Sequence, residues 1–213
     1  AYVEWYTERP AQSLLDEVKK RGPLLTYMMP FSYDVKRDGS LTPLNWNGLE
    51  QIAADENIIA AIVISNIEDG AFSDTLAQAI FADPAIQDKQ IQNILAEAKA
   101  KNAKDIHVDF EYLRKEDRQA YVDFLKKLKE AAKGLALSVA LAPKTSATQV
   151  GKCYEGHDYK QIGEVADFVV IMTYEWGYSG GPPMAVSPIG PVREVLTYAL
   201  TEIPGNKIMM GQN

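Results

Sequence analysis

The sequence predicts an α/β protein, a TIM (β/α)8 barrel that stops after its seventh strand. Three observations predict it. Short apolar runs alternate with amphipathic stretches along the whole chain. The runs are near-continuously apolar, as strands covered on both faces by helices are. No Gly-x-Gly-x-x-Gly or P-loop follows any run, which removes the usual signature of an open doubly wound sheet.

The expected strands are Tyr2–Tyr6, Leu24–Met29, Ile58–Ser65, Ile106–Tyr112, Leu135–Leu141, Phe168–Tyr174 and Lys207–Gly211. The first helix, Ala11–Lys20, has Leu14, Leu15 and Val18 on one face and ends at Gly22-Pro23. A weaker helical pattern covers Trp46–Asp55. Asp74–Phe81 leads through Pro84 into Ile86–Lys101, where Ile91, Ile94, Leu95 and Ala98 recur at helical spacing. Arg114–Lys133 carries Tyr121, Phe124, Leu125 and Leu128, with Gly134 as its stop. Asp158–Glu164 is short. Ser187–Thr201 carries Val192, Val195, Leu196 and Leu200 and runs into Pro204-Gly205. The seventh run ends at Gly211, whereas a closed barrel takes eight strands and typically about 250 residues. The expectation is therefore one barrel domain over residues 1–213, lacking the part that holds the eighth strand.

A net charge of −7 over 213 residues, with no Lys/Arg cluster, argues against nucleic acid as a partner. Lys126, Lys127 and Lys129 read as the wet face of a helix. Cys153 is the only cysteine, which excludes an internal disulfide and a cysteine-rich zinc site. No stretch approaches the roughly 18 apolar residues of a membrane span, and no charged-then-apolar leader is expected.

The chemistry concentrates in IHVDFEY. Strand alternation sends His107, Asp109 and Glu111 to one side and Ile106, Val108 and Phe110 to the other. The apolar set suits the strand–helix interface, and the polar set suits the barrel interior, with Glu111 nearest the C-terminal mouth. Alternation alone leaves three readings open: catalysis, a structural polar network, or a divalent-metal site. Two carboxyl groups this close do not both ionise easily, so one is expected to keep its proton near neutrality and serve as a general acid.

IHVDFEY resembles the Asp-x-x-Asp-x-Asp-x-Glu signature on the fourth strand of glycoside hydrolase family 18, the chitinase-like hydrolases. Asp109 and Glu111 fall on its last two acidic positions; His107 and Lys104 stand where the family has Asp. MTYEWGYSGGPPMAVSPIGPVREVL is similar to the sixth-strand segment of the family's spore-cortex peptidoglycan hydrolases, the SleL and YaaH type. SNIEDGAFS, APKTS followed by GHDY, and LLTYMMPFSYDVKRDGSLTPL resemble that branch's third-, fifth- and second-strand regions.

The resemblance implies a retaining hydrolase of β-1,4 bonds in N-acetylglucosamine-containing polymers, working by substrate-assisted acetamido catalysis without a cofactor. It implies Glu111 as acid and base, Asp109 as the group orienting the acetamide, and Tyr174 as its hydrogen-bond partner. Glu175 stands in place of the more common Asp of the Met-x-Tyr-Asp pattern, as in the spore branch. Met172 and Trp176 share the Tyr174 face by alternation and are candidates for the sugar subsite, Met172 equally for core packing and Trp176 alternatively as a loop anchor. Asn66 is a candidate for sugar hydroxyls or for a loop cap, and Tyr33 a weaker candidate for substrate contact. Lys144 reads as a surface lysine, with substrate contact as its alternative, and His157 as a polar loop residue rather than a ligand. His107 reads either as tuning Asp109 or as a satisfied interior histidine. Metal binding is not expected, because the only two histidines lie far apart.

The expected partner is spore-cortex peptidoglycan or a chitin-type polysaccharide, in an extracytoplasmic, spore or cell-wall setting; no protein partner is implied. A chitinase or chito-oligosaccharide hydrolase is the alternative with the same chemistry. A non-catalytic carbohydrate-binding barrel is the alternative of another class, and a metal-dependent barrel hydrolase is a third.

Overall fold

The computed structural model describes residues 1–177 and 180–212. Tyr178 and Ser179, in the Trp-Gly-Tyr-Ser-Gly-Gly-Pro-Pro run, lie outside the described residues, as does Asn213. Seven parallel strands form one sheet in chain order: β1 Tyr2–Glu4, β2 Tyr27–Phe31, β3 Ile59–Ser65, β4 Asp105–Asp109, β5 Ala136–Leu141, β6 Phe168–Ile171 and β7 Ile208–Met210. The short extension Tyr33–Asp34 adds a second pairing to β3, and Ile67–Glu68 forms a small hairpin with Ala71–Phe72. The helices are α1 Gln12–Arg21, α2 Leu49–Asp55, α3 Asp74–Ala82, α4 Pro84–Ala100, α5 Arg118–Ala131, α6 Tyr159–Val165 and α7 Ile189–Glu202.

The sheet is curled rather than open. Tyr27 on β2 and Phe168 on β6 have ring centroids 5.1 Å apart. Four strand spacings of about 4.8 Å would hold these strands almost 20 Å apart in a flat sheet. The barrel interior is a small apolar cluster of Met29, Ala61, Val63, Phe168 and Val170, against which Tyr2, Tyr27 and Phe31 pack. The larger core lies between sheet and helices, where Ile62, Ile64, Ile106, Val108 and Phe110 meet residues such as Leu76, Ile94, Tyr121 and Leu125. The two faces of each strand thus go to two different cores, as period-two alternation requires.

Several strand ends differ from expectation, each for a local reason. Gly22–Leu24 is a 3-10 turn closed by Leu25 N–H donating to the Gly22 carbonyl at 2.9 Å, so the second strand starts at Tyr27. Gly22 is itself not left-handed, with φ −43°. Its missing side chain instead admits Glu56, whose Cγ would lie 2.6 Å from a Cβ there. β4 stops at Asp109 because side chains take over the next backbone groups. The Phe110 carbonyl accepts from His157, and Asn66 binds both the N–H and the carbonyl of Glu111. β6 stops at Ile171, not Tyr174, because Thr173 N–H turns back to the Ile171 carbonyl at 2.8 Å while its hydroxyl donates to the Gly211 carbonyl at 2.6 Å.

Candidate active site

Asp109 closes β4, paired in register with Ser65 of β3, and is only 5% exposed. Its Oδ1 is buried without a hydrogen-bond partner among the described residues. Burial first, and the neighbouring Glu111 second, hold its carboxyl well above the usual aspartate range. Glu111 lies just past the strand end and is half-buried. Burial and then the Glu175 carboxylate push it up to about 7. The pair therefore retains a proton near neutrality, the condition for donating one to a leaving oxygen and recovering one later.

Asn66 fixes where Glu111 sits. Its Oδ1 accepts from Glu111 N–H at 2.9 Å, and its Nδ2 donates to the carbonyls of Glu111 and Ser73, both at 3.0 Å. Both amide protons are spent on backbone, and the side chain is fully buried. Asn66 is thus a clamp on the Glu111 backbone rather than a group facing sugar hydroxyls. The next residue, Tyr112, takes a left-handed φ of 55°, and its exposed ring stacks with Phe72 at 6.2 Å beside the site mouth.

Tyr174 comes from the segment after β6. Burial, then Asp109, Glu111 and Glu175 in that order, raise its phenol pKa, which places it beside the carboxyl pair. Gly211 lets it lie there, since a Cβ at that position would meet Tyr174 Cε1 at 2.8 Å. Glu175 is exposed at φ 59° and acts on the site through its charge on Glu111. Met172 is half-buried, its N–H still donating to the Leu141 carbonyl at 3.0 Å. Beyond Ile171 the backbone is no longer strand, so alternation does not fix the faces of Met172 and Trp176. Trp176 packs partly against the sheet–helix core, and its N–H donates to the Val186 carbonyl at 3.2 Å.

Tyr33 requires a correction. It is 1% exposed within the sheet–helix core, and the charges that raise its phenol after burial are Glu97 on α4 and Glu50 on α2. It faces the helices, on the far side of the sheet from Asp109. Its place in a short extension pairing with β3, not in a solvated loop, is what buries it.

A family model described as glycosyl hydrolases family 18 matches residues 2–213. The chain belongs to glycosyl hydrolase family 18. It is 47% identical, over its whole length, to the cortical fragment-lytic enzyme of Bacillus subtilis (strain 168), and covers 50% of that protein. It superposes over its whole length on half of the spore cortex-lytic enzyme SleL of Bacillus cereus, with a TM-score of 0.97 and 48% identity. The chitinase of Chromobacterium violaceum ATCC 12472 shares the fold, with a TM-score of 0.88 at 23% identity over 67% of that chain. The chain spans about half the length of the curated relatives it matches.

Beneath the carboxyl pair, this family 18 barrel holds a buried polar interior that the sequence pattern marked only at His107. Tyr2 of β1 contacts His107 Nε2 at 2.8 Å, Ser138 of β5 contacts His107 Nδ1 at 2.7 Å, and Ser138 Oγ donates to Asp105 Oδ2 at 2.7 Å. Tyr2, Ser138 and Asp105 were missed because only the register between distant strands, His107 against Ser138 among them, brings them together. Lys144 and His157 also lie elsewhere than expected. Each is 1% exposed; Lys144 Nζ donates to the His157 carbonyl at 2.8 Å. His157 accepts from Ala142 N–H at Nδ1, 3.0 Å, and donates from Nε2 to the Phe110 carbonyl, 2.9 Å. They stitch the ends of β4 and β5 together and do not face solvent. Among the described residues, no group of three His, Cys, Asp or Glu side chains is arranged to hold a metal.

Proposed function

We propose that residues 1–213 form the catalytic barrel domain of a retaining glycoside hydrolase that cuts β-1,4 bonds of N-acetylglucosamine-containing polymers, foremost spore-cortex peptidoglycan. The observation that carries it is the coupled pair at the barrel mouth: Glu111 pushed up to about 7, over a buried Asp109 whose Oδ1 has no partner among the described residues. Family membership and the likeness to cortical fragment-lytic enzymes support the substrate class.

The reaction follows from these residues and the acetamide chemistry that the family implies. The Glu111 carboxylic acid gives its proton to the glycosidic oxygen as the bond to the anomeric carbon breaks. The substrate's acetamido oxygen forms a bond to that carbon, giving an oxazolinium. Asp109 accepts a hydrogen bond from the acetamide N–H through its otherwise unpartnered oxygen and offsets the positive charge. Tyr174, beside both carboxyls, donates to the acetamide oxygen side and orients it. The Glu111 carboxylate then takes a proton from water, whose oxygen opens the oxazolinium with overall retention. Glu175 keeps Glu111 weakly acidic enough to hold its proton beforehand, and Met172 and Trp176 shape the subsite walls.

The setting proposed is a spore or cell wall; no helix among the described residues is long and apolar enough to cross a membrane. The test is hydrolysis of cortical muropeptides and of chitin oligomers by the full-length protein, reading the new reducing end. Cortical fragments ending in N-acetylglucosamine support the reading. Cleavage of chitin oligomers alone would replace the substrate, and no cleavage of either would overturn the activity.

A further inference from the structure

The side chains under the carboxyl pair form a hydrogen-bond chain whose direction can be worked out proton by proton. Ser138 Oγ donates to Asp105 Oδ2 at 2.7 Å. A serine hydroxyl has one proton, so its 2.7 Å contact with His107 Nδ1 is donated by the ring. His107 is fully buried, and burial lowers its pKa to about 3, so the ring is neutral and carries a single N–H. With that proton on Nδ1, Nε2 is an acceptor, and the 2.8 Å contact with Tyr2 is donated by the phenol. Burial raises the Tyr2 phenol, which keeps its proton.

Two consequences follow. Both His107 nitrogens are engaged, so the ring makes no bond to Asp109. Because the Tyr2 proton is committed to the imidazole, its oxygen offers only lone pairs to the site. The remaining charged groups around the chain are Asp167 and Lys129, which act on Asp105, and the Ala1 amino group, which acts on His107.

We propose that His107, locked in its Nδ1–H form by Ser138 and Asp105, is a positioning residue that holds the Tyr2 phenol beneath the carboxyl pair with its proton committed to the imidazole and only lone pairs left for the site. The catalytic meaning rests on the proposed hydrolase reading; the tautomer does not.

The experiment is therefore a ¹⁵N spectrum of the histidine rings in the full-length protein at about pH 7.5, where Asp105, pushed up to about 6, is ionised. His107 is identified by its loss in His107→Gln. The expected result is a protonated Nδ1 and bare Nε2 in His107, and the reverse in His157, whose Nδ1 accepts from a backbone N–H. A His107 ring protonated at Nε2, or at both nitrogens, overturns the proposal. On the substrate that the parent protein cleaves, His107→Leu is expected to lower kcat about ten-fold with KM within about two-fold. His107→Gln, whose amide can accept from Tyr2 and donate to Ser138, keeps most of kcat. Equal activity in the two variants also overturns it. Failure of the parent to cleave any sugar polymer would strike the hydrolase reading and leave the tautomer result standing.

Discussion

Burial and the Glu175 carboxylate together push Glu111 up to about 7, so it holds its proton where an ordinary glutamate has lost it. The proposed reaction needs that proton at its first step. Activity is then expected to fall as pH rises through about 7, because the acid is consumed by deprotonation. Removing the like charge lowers the pKa, so Glu175→Gln should move this alkaline limb of the kcat profile to lower pH. A limb that stays in place, or moves up, would disconnect Glu175 from the acid. That the two carboxyls share one face was legible in the sequence because they stand at a spacing of two in an apolar run. The role of Asn66 was not, because what it does depends on which backbone groups past β4 lack a partner, and that is settled 45 residues away in sequence.

At the scale of elements, the strand ends matter more than the strands. The alternation expected through Ile106–Tyr112 places the right side chains inward, yet the ladder ends at Asp109, and Asn66 and His157 hold the backbone beyond it. Lys144 and His157 were read as solvated loop residues because their polarity says nothing of what covers them; the segment between β5 and α6 folds inward and buries both. Gly156 is what lets it do so. A Cβ there would stand 2.3 Å from Leu113 Cβ and 2.8 Å from the Leu113 carbonyl oxygen. Gly156→Ala must therefore displace His157 from Phe110 and Ala142, and is expected to cost roughly 1–3 kcal/mol in urea unfolding. Unchanged stability would mean that this segment is free to shift and does not brace the site.

For the whole molecule, the site's buried acids set how stability depends on pH. Asp105, Glu111 and Asp109 all have raised pKa values, Asp105 to about 6 and Glu111 to about 7. Stability from such groups is fully present below their unfolded values and is lost as pH rises through their folded ones. The two histidines run the other way. Their values are lowered, to about 3 for His107 and about 4 for His157, so their contribution is lost as pH falls below the unfolded value near 6.5. Above about pH 7 the rings are neutral in both the folded and the unfolded chain, so only the raised acids, Asp109 foremost, still act, and stability is expected to fall as pH rises from there to 8. Denaturant unfolding at a series of pH values checks this; a flat or rising curve would mean that the carboxyls are ordinary. The sheet order and the two-sided burial of its strands were legible from the alternation of runs, since period alone decides which face each residue takes. The interior chain from Tyr2 to Asp105 was not, because it depends on how far the sheet curls.

The measurement that bears most directly on the central claim is turnover of cortical peptidoglycan fragments by the full-length protein carrying Glu111→Gln, beside the parent. Gln keeps the shape and the Asn66 clamp but can neither give nor take a proton. The account predicts a loss of about 10³-fold or more in kcat, with KM little changed and the fold at least as stable at pH 8, where a buried charge has been removed. Turnover equal to the parent's would contradict it.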